Sequence, residues 1–292
     1  MSYLIGIDIG GTNLRVAIIN KNGDIIDIFK VNNDVEKGPK YNLDKLIKHI
    51  KNEWKDYEFE NVGVGSPGPL DLKVGKILKT PNLKGWENFN IKEYLSKELD
   101  LNVKVNNDAN VAGLAEAVVG AAKGADSVFY ITISTGVGGG FILDKKIVNG
   151  AHSQTAEIYN MIINEDEYTQ PGLNKSSLEG QCSGVNIARI ASLEYKKELS
   201  TKEVFDLYTN NDEKAIIVIN KWINNISIGI ANIIAVIDPE VVVLGGAVPI
   251  NNQYLIPKII ECVKTKVADP KMVDIRIAKI GDNAGLIGAA ML

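Results

Sequence analysis

The sequence predicts an α/β fold built from two similar lobes. Three observations predict it. An apolar strand, a Thr/Gly-rich turn and a second apolar strand occur at residues 3–20 and again at 128–143. Apolar strands alternate with segments of helical period along the chain. Its 292 residues are long for one core and comfortable for two.

The elements follow in order. Tyr3–Ile9 and Leu14–Asn20 flank Gly10-Gly11-Thr12-Asn13 and read as a β-hairpin. Asn22-Gly23 supplies a second turn before a strand at IIDIF. Leu43, Leu46, Ile47, Ile50 and Trp54 share one helical face. Residues 61–65 return to a strand. Residues 91–99 read as a helix with Ile91, Tyr94, Leu95 and Leu99 on one side, and 102–106 as a strand entering NNDAN. A small-residue helix is expected over 110–122, and the second hairpin follows at 128–143. A long helix over 216–237 ends at Asp238-Pro239. EVVVLGG reads as a buried strand, 254–267 as a helix, 274–280 as a strand and 283–291 as a final helix. The repeat places a hinge near 106–112.

Composition narrows the function classes. With 45% hydrophobic and 23% charged residues, the chain can bury a sizeable core. The net charge of −4 lacks the basic footprint of broad nucleic-acid binding. No apolar run approaches the roughly 20 residues that span a bilayer; the best, 226–244, is broken by Asn232, Asp238 and Pro239. The opening MSYLIGIDIGGTN has no basic flank before an apolar stretch, which points to a cytoplasmic protein. Two cysteines, Cys182 and Cys262, and two histidines, His49 and His152, make neither a disulfide framework nor a Cys/His metal site.

Several glycine loops compete for a chemical role. GVGSPG, residues 63–68, matches a dinucleotide-binding pattern, and Glu87 stands where a ribose-binding acid would. Pro67 and Pro69 and the non-helical PLDLKVGKILK deny it the helix start that a pyrophosphate needs. No GxxxxGK[ST] occurs, which excludes a P-loop. Gly10–Asn13 and Thr135-Gly136-Val137-Gly138-Gly139-Gly140 are better candidates, since their N–H groups can form anion nests. Each also reads as a plain hairpin turn. Asp8 is a carboxylate on an otherwise apolar strand, costly unless it serves a turn or a ligand. Asp108 follows a strand and can act as a general base, while Asn107 or Asp108 equally reads as a helix cap, and the roles can coexist.

GIDIGGTNLR, VGSPGPLD, TPNLKGW, NNDAN, STGVGGG, LEGQCSG and VVLGG, in this order, are similar to the ROK family of the sugar kinase and actin superfamily. The resemblance covers residues 3–292. It implies two RNase H-like, actin-like ATPase lobes around a central cleft. The smaller would comprise 1–110 plus 281–292, the larger 111–280. It further implies ATP-dependent phosphorylation of a hexose hydroxyl, foremost glucose to glucose 6-phosphate, in a homodimer.

By this resemblance Asp108 is the catalytic base, and Gly68, Asn82, Asn107, Asp108, Glu157 and Glu179 bind the sugar. Gly10, Gly11, Thr12, Asn13, Thr135, Gly136, Gly138, Gly245 and Gly246 bind ATP. Asp8 would orient Mg²⁺ through water, and Arg15 is either a phosphate partner or a solvated hairpin residue. Trp86 either marks a glucokinase-like segment or simply packs.

The family usually carries a histidine and three cysteines that bind zinc. Here those positions are Asn160, Gln170, Gly172 and Ser177, so zinc is expected to be absent. The same change, with Tyr159 beside it, puts glucose specificity in doubt. Kinases for fructose, N-acetylmannosamine or N-acetylglucosamine are the alternatives, as is a non-catalytic sugar-binding protein. A sugar-responsive repressor is disfavoured, because a strand starting near residue 3 leaves no room for a helix-turn-helix.

Overall fold

The computed structural model describes residues 2–78, 80 and 83–292. Strand β1 (Ser2–Ile9) runs antiparallel to β2 (Asn13–Ile19), with Asp8 opposite Arg15. Asn20 Oδ1 accepts from the N–H groups of Asn22 and Asp24, both at 2.9 Å, and turns the chain into β3 (Ile25–Asn32). Helix α1 (Gly38–Glu53) buries the expected face of Leu43, Leu46, Ile47 and Ile50. Trp54 closes it, donating from Nε1 to Asp27 at 2.9 Å. Strand β4 (Glu58–Ser66) runs parallel to β1. A ribbon of β5 (Leu70–Asp71) and β6 (Lys76–Ile77) leads to α2 (Ile91–Leu99), whose first turn is capped by Asn90. Strand β7 (Asn102–Asn107), parallel to β4, runs straight into α3 (Asp108–Val118).

The second half repeats this plan with β8 (Ser127–Ile133), β9 (Val137–Leu143) and β10 (Lys146–Ile147). Helices α4 (Leu178–Cys182), α5 (Gly184–Tyr195), α6 (Thr201–Thr209) and α7 (Glu213–Ile237) follow. Then come β11 (Val241–Gly245), α8 (Ala247–Asn251), α9 (Ile256–Lys264), β12 (Ile275–Ile277) and α10 (Ala284–Ala290). The sheets read β3-β2-β1-β4-β7 and β10-β9-β8-β11-β12. Numbered within each sheet, both orders are third, second, first, fourth, fifth, so the duplication seen in the sequence is a duplication of topology.

The chain forms two compact units, residues 1–124, 142–155 and 280–292, and residues 125–141 and 156–279. The boundary expected at 110/111 falls inside α3. That helix packs against α10 in the first unit, and the chain crosses to the second only at 124/125. The packing is intimate. A Cβ on Gly63 would lie 1.7 Å from the Ala289 carbonyl oxygen, and one on Gly288 would lie 1.7 Å from that of Val111. The first glycine of GVGSPG therefore admits the backbone of α10 to the sheet.

Two helical expectations are corrected. Helix α3 stops at Val118 rather than 122 because Glu116, fully buried, folds its carboxylate over the end and accepts from Ala121 N–H at 2.7 Å. Helix α7, at 25 residues, does have the length and composition to cross a membrane, but 61% of its apolar window is buried. Trp222, Ile226, Ile230 and Ile234 place it in the core of the second unit.

Candidate active site

The expected site residues fall on both units. In the first, Asp108 opens α3 directly after β7. Asn107 caps that helix, its Oδ1 accepting from Ala109 N–H at 2.9 Å, and Asp108 Oδ1 accepts from the same group at 2.7 Å. The cap uses only the oxygen of Asn107. Its Nδ2 faces Gly68, where a Cβ would lie 3.1 Å away. Gly68, Asn107 and Asp108 thus form one polar cluster. Solvent reaches the Asp108 side chain. A carboxylate can be touched by water along one side and still be poorly hydrated. Burial, opposed by the Ala109 N–H and reinforced by the charge of Asp8, pushes its pKa up to about 6.

Asp8 is held by Arg15, whose Nε and Nη2 both reach Oδ2, at 3.0 and 2.6 Å. Nη2 also donates to the Asp282 carbonyl at 2.7 Å. Arg15 is thus more than a solvated hairpin residue; it holds the Asp8 carboxylate. Both bonds fall on Oδ2, which leaves Oδ1, and Gly285 keeps space open beside it. One carboxylate oxygen with room for water fits a magnesium ion that keeps most of its water and takes its other ligands from phosphates. In the adjoining turn, Gly10 N–H donates to the Asn13 carbonyl at 2.9 Å, and Asn33 Nδ2 donates to the Gly10 carbonyl at 2.7 Å. Gly11 and Thr12 are exposed, and their N–H groups take no part in the described backbone pairing. Asn82 lies outside the described residues.

In the second unit, the β8–β9 turn is tied to α4. Val137 N–H donates to Glu179 Oε2 at 2.8 Å, and a Cβ on Gly136 would meet that oxygen at 2.6 Å. Burial pushes the Glu179 pKa up, with the Val137 N–H opposing. Gly138 lies within β9. Glu157 is exposed, ahead of the turn Ile158–Asn160, and Gly139 admits the Ala156 carbonyl beside β9.

A pocket of about 630 Å³ opens next to this turn, lined by Thr135, Val185, Thr201, Phe205, Val248 and Asn252 among others. Apolar walls with a few polar groups suit a nucleoside. Gly246 has φ +85°, and a Cβ there would lie 2.4 Å from the Ile133 carbonyl oxygen. Gly245 is pressed on Tyr130 in the same way. These glycines seat α8 against β8, and Ala247 and Val248 line the pocket. Sequence reading missed Val185, Thr201, Phe205 and Asn252. The Ser200–Glu203 capping box that starts α6 was the available signal.

Three of the four positions set against zinc ligands carry other bonds. Asn160 Oδ1 accepts from Asn174 N–H, Ser177 Oγ caps α4, and Gln170 Oε1 accepts from Tyr168 at 3.0 Å. The Arg189 guanidinium lies 3.3 Å over the Tyr168 ring and donates to the Gly180 carbonyl at 3.1 Å. Amide and hydroxyl groups do not fit a structural zinc site, which needs thiolates or imidazoles. Cys182 is buried, which pushes its thiol pKa up. The His49 ring stacks on Phe29 at 3.8 Å. Elemental analysis is expected to find no stoichiometric zinc, and chelation followed by fresh magnesium should leave turnover unchanged.

The ROK family model matches residues 4–292. The chain belongs to the ROK family. A glucokinase from Halalkalibacterium halodurans is 31% identical over 99% of this chain and 94% of that protein. An N-acetylmannosamine kinase from Haemophilus influenzae is 30% identical, covering 98% and 93%. A ROK hexokinase from Thermus thermophilus matches with a TM-score of 0.92 at 29% identity over 99% and 97%. The two α/β lobes expected from the sequence are those of this ROK fold.

Proposed function

We propose that this ROK-family chain is an ATP-dependent sugar kinase. The observation that carries it is the placement of Asp108 beside Asn107 and Gly68 at the start of α3. Asn107 Nδ2 and the Gly68 backbone orient a sugar hydroxyl. Asp108 accepts its proton as the oxygen bonds to the γ-phosphorus of ATP and the bond to the β-phosphate oxygen breaks, releasing ADP. The pocket of the second unit takes the nucleoside. In the first unit the Gly11 and Thr12 groups are donors available to phosphate oxygens. Asp8 Oδ1 would hold a magnesium ion through water, and that ion would supply charge neutralisation on the ATP phosphates.

Glucose is the first sugar to test. N-acetylmannosamine is the second, because Asn160 stands where the family histidine would and already commits one lone pair of its Oδ1 to Asn174. A relative with 30% identity is an N-acetylmannosamine kinase. Coupled ADP release over glucose, mannose, fructose, N-acetylmannosamine and N-acetylglucosamine should show one sugar exceeding the rest by about tenfold or more in kcat/KM. ADP release independent of every sugar would overturn the reading.

A further inference from the structure

The first unit holds a recess of about 320 Å³ beside β7, an edge strand of its sheet. Four lysines line it: Lys92 of α2, Lys104 of β7, and Lys145 and Lys146 at the β9–β10 turn. No Asp or Glu side chain is among the lining residues, in a chain where 36 acidic residues outnumber 32 basic ones. Among the described residues none of the four makes an ion pair with a carboxylate side chain. Lys104 donates to the backbone oxygen of Leu292.

The recess also has a built polar wall. Asn106 is 4% exposed and lines it. Its Oδ1 accepts from Asn107 N–H at 2.8 Å and from Asn110 Nδ2 at 2.9 Å, and its Nδ2 donates to Asn149 at 3.0 Å. That accounts for one of the two Nδ2 hydrogens. Val105 and Leu114 add apolar surface. Lysines gathered with no acidic side chain among them repel one another, and a multiply charged anion removes that repulsion. Carboxylates carry one charge, whereas a phosphate monoester carries about −1.5 to −2 near neutral pH with three strong acceptor oxygens. Lysine binds phosphate as a point charge and needs no bidentate geometry.

We propose that this recess binds a small phosphate monoester. Its neighbour on the chain is the Asn107–Asp108 pair, so the occupant sits two residues from the proposed base.

The test reads the lysines themselves. The intact protein is labelled with an amine-reactive ester at matched ionic strength in chloride, inorganic phosphate, glucose 6-phosphate or glucose, and the sites are mapped by mass spectrometry. Labelling of Lys92, Lys145 and Lys146 should slow by about threefold or more in both phosphate arms. Lys48 and Lys271, both exposed, should label equally in all four. Stronger protection by glucose 6-phosphate assigns an organic ester as occupant, and equal protection assigns free phosphate. In a Lys92→Gln/Lys146→Gln variant, phosphate should no longer protect Lys145. Equal labelling in all arms, or protection of Lys145 that survives in the variant, overturns the proposal. No turnover is measured, so the outcome is independent of whether the chain proves to be a sugar kinase.

Discussion

Asp108→Asn is expected to lower kcat by about 10²–10⁴-fold, the usual contribution of general-base help, while sugar affinity changes little. The substitution is close to isosteric. An Asn Oδ1 can still accept the Ala109 N–H, and Asn107 still caps α3. The variant should therefore fold. Its stability carries a sign as well. The folded pKa, about 6, lies above the ordinary aspartate value of 3.8. Proton uptake by Asp108 thus favours the folded state below 3.8, and this contribution is lost as pH rises through about 6. Near pH 8 the ionised side chain is a cost, and Asp108→Asn should melt no lower than the parent. The same carboxylate sets the pH profile. Only its ionised form can take a proton, so kcat/KM should climb with pH on a limb centred at about 6. The residual activity of the variant should lack that limb. Near-parental turnover, or an unchanged limb in the variant, would remove Asp108 from the base role.

What could be read in advance was local in sequence. The β1–β2 and β8–β9 hairpins announced themselves because a glycine turn lies between β-branched runs, and α1 because five apolar residues share one face. The Asp8–Arg15 pair was legible in principle, since the two stand opposite each other once the hairpin register is counted. Helices α4 to α6 escaped although each begins at a serine cap, the local signal that was available. The end of α3 escaped for another reason. Its small-residue run continues past Val118, and only the fold brings Ile280 N–H and Ala121 N–H to the two Glu116 oxygens that terminate it. At the site, Asp108 and Asn107 carried both of the readings open to them, cap and chemistry. The pocket of the second unit draws on residues from Ser134 to Asn252, a spread no single motif encodes.

Gly63→Ala is expected to destabilise the protein by about 3 kcal/mol or more, at the upper end of overpacking costs. A new Cβ would stand 1.7 Å from the Ala289 carbonyl oxygen and 2.5 Å from its carbon. Both are helix backbone, so no rotamer change relieves the clash. Helix α10 would have to withdraw, and its contacts with β1, β4 and α3 would loosen together. Gly124→Ala is the control. Its φ is +98° but nothing lies within 4 Å of the added carbon, so only the backbone cost of about 1–2 kcal/mol applies. At about 2–4 °C per kcal/mol, Gly63→Ala should lower the melting temperature by roughly 6–12 °C, well beyond the control. The comparison also decides what GVGSPG is for. A packing glycine costs stability and, below the melting range, leaves affinity for adenosine intact, because the pocket proposed for the nucleoside is lined from the second unit. A phosphate-binding glycine would do the reverse, and weakened ATP binding with an unchanged melting temperature would restore the dinucleotide-loop reading that Pro67 and Pro69 argue against.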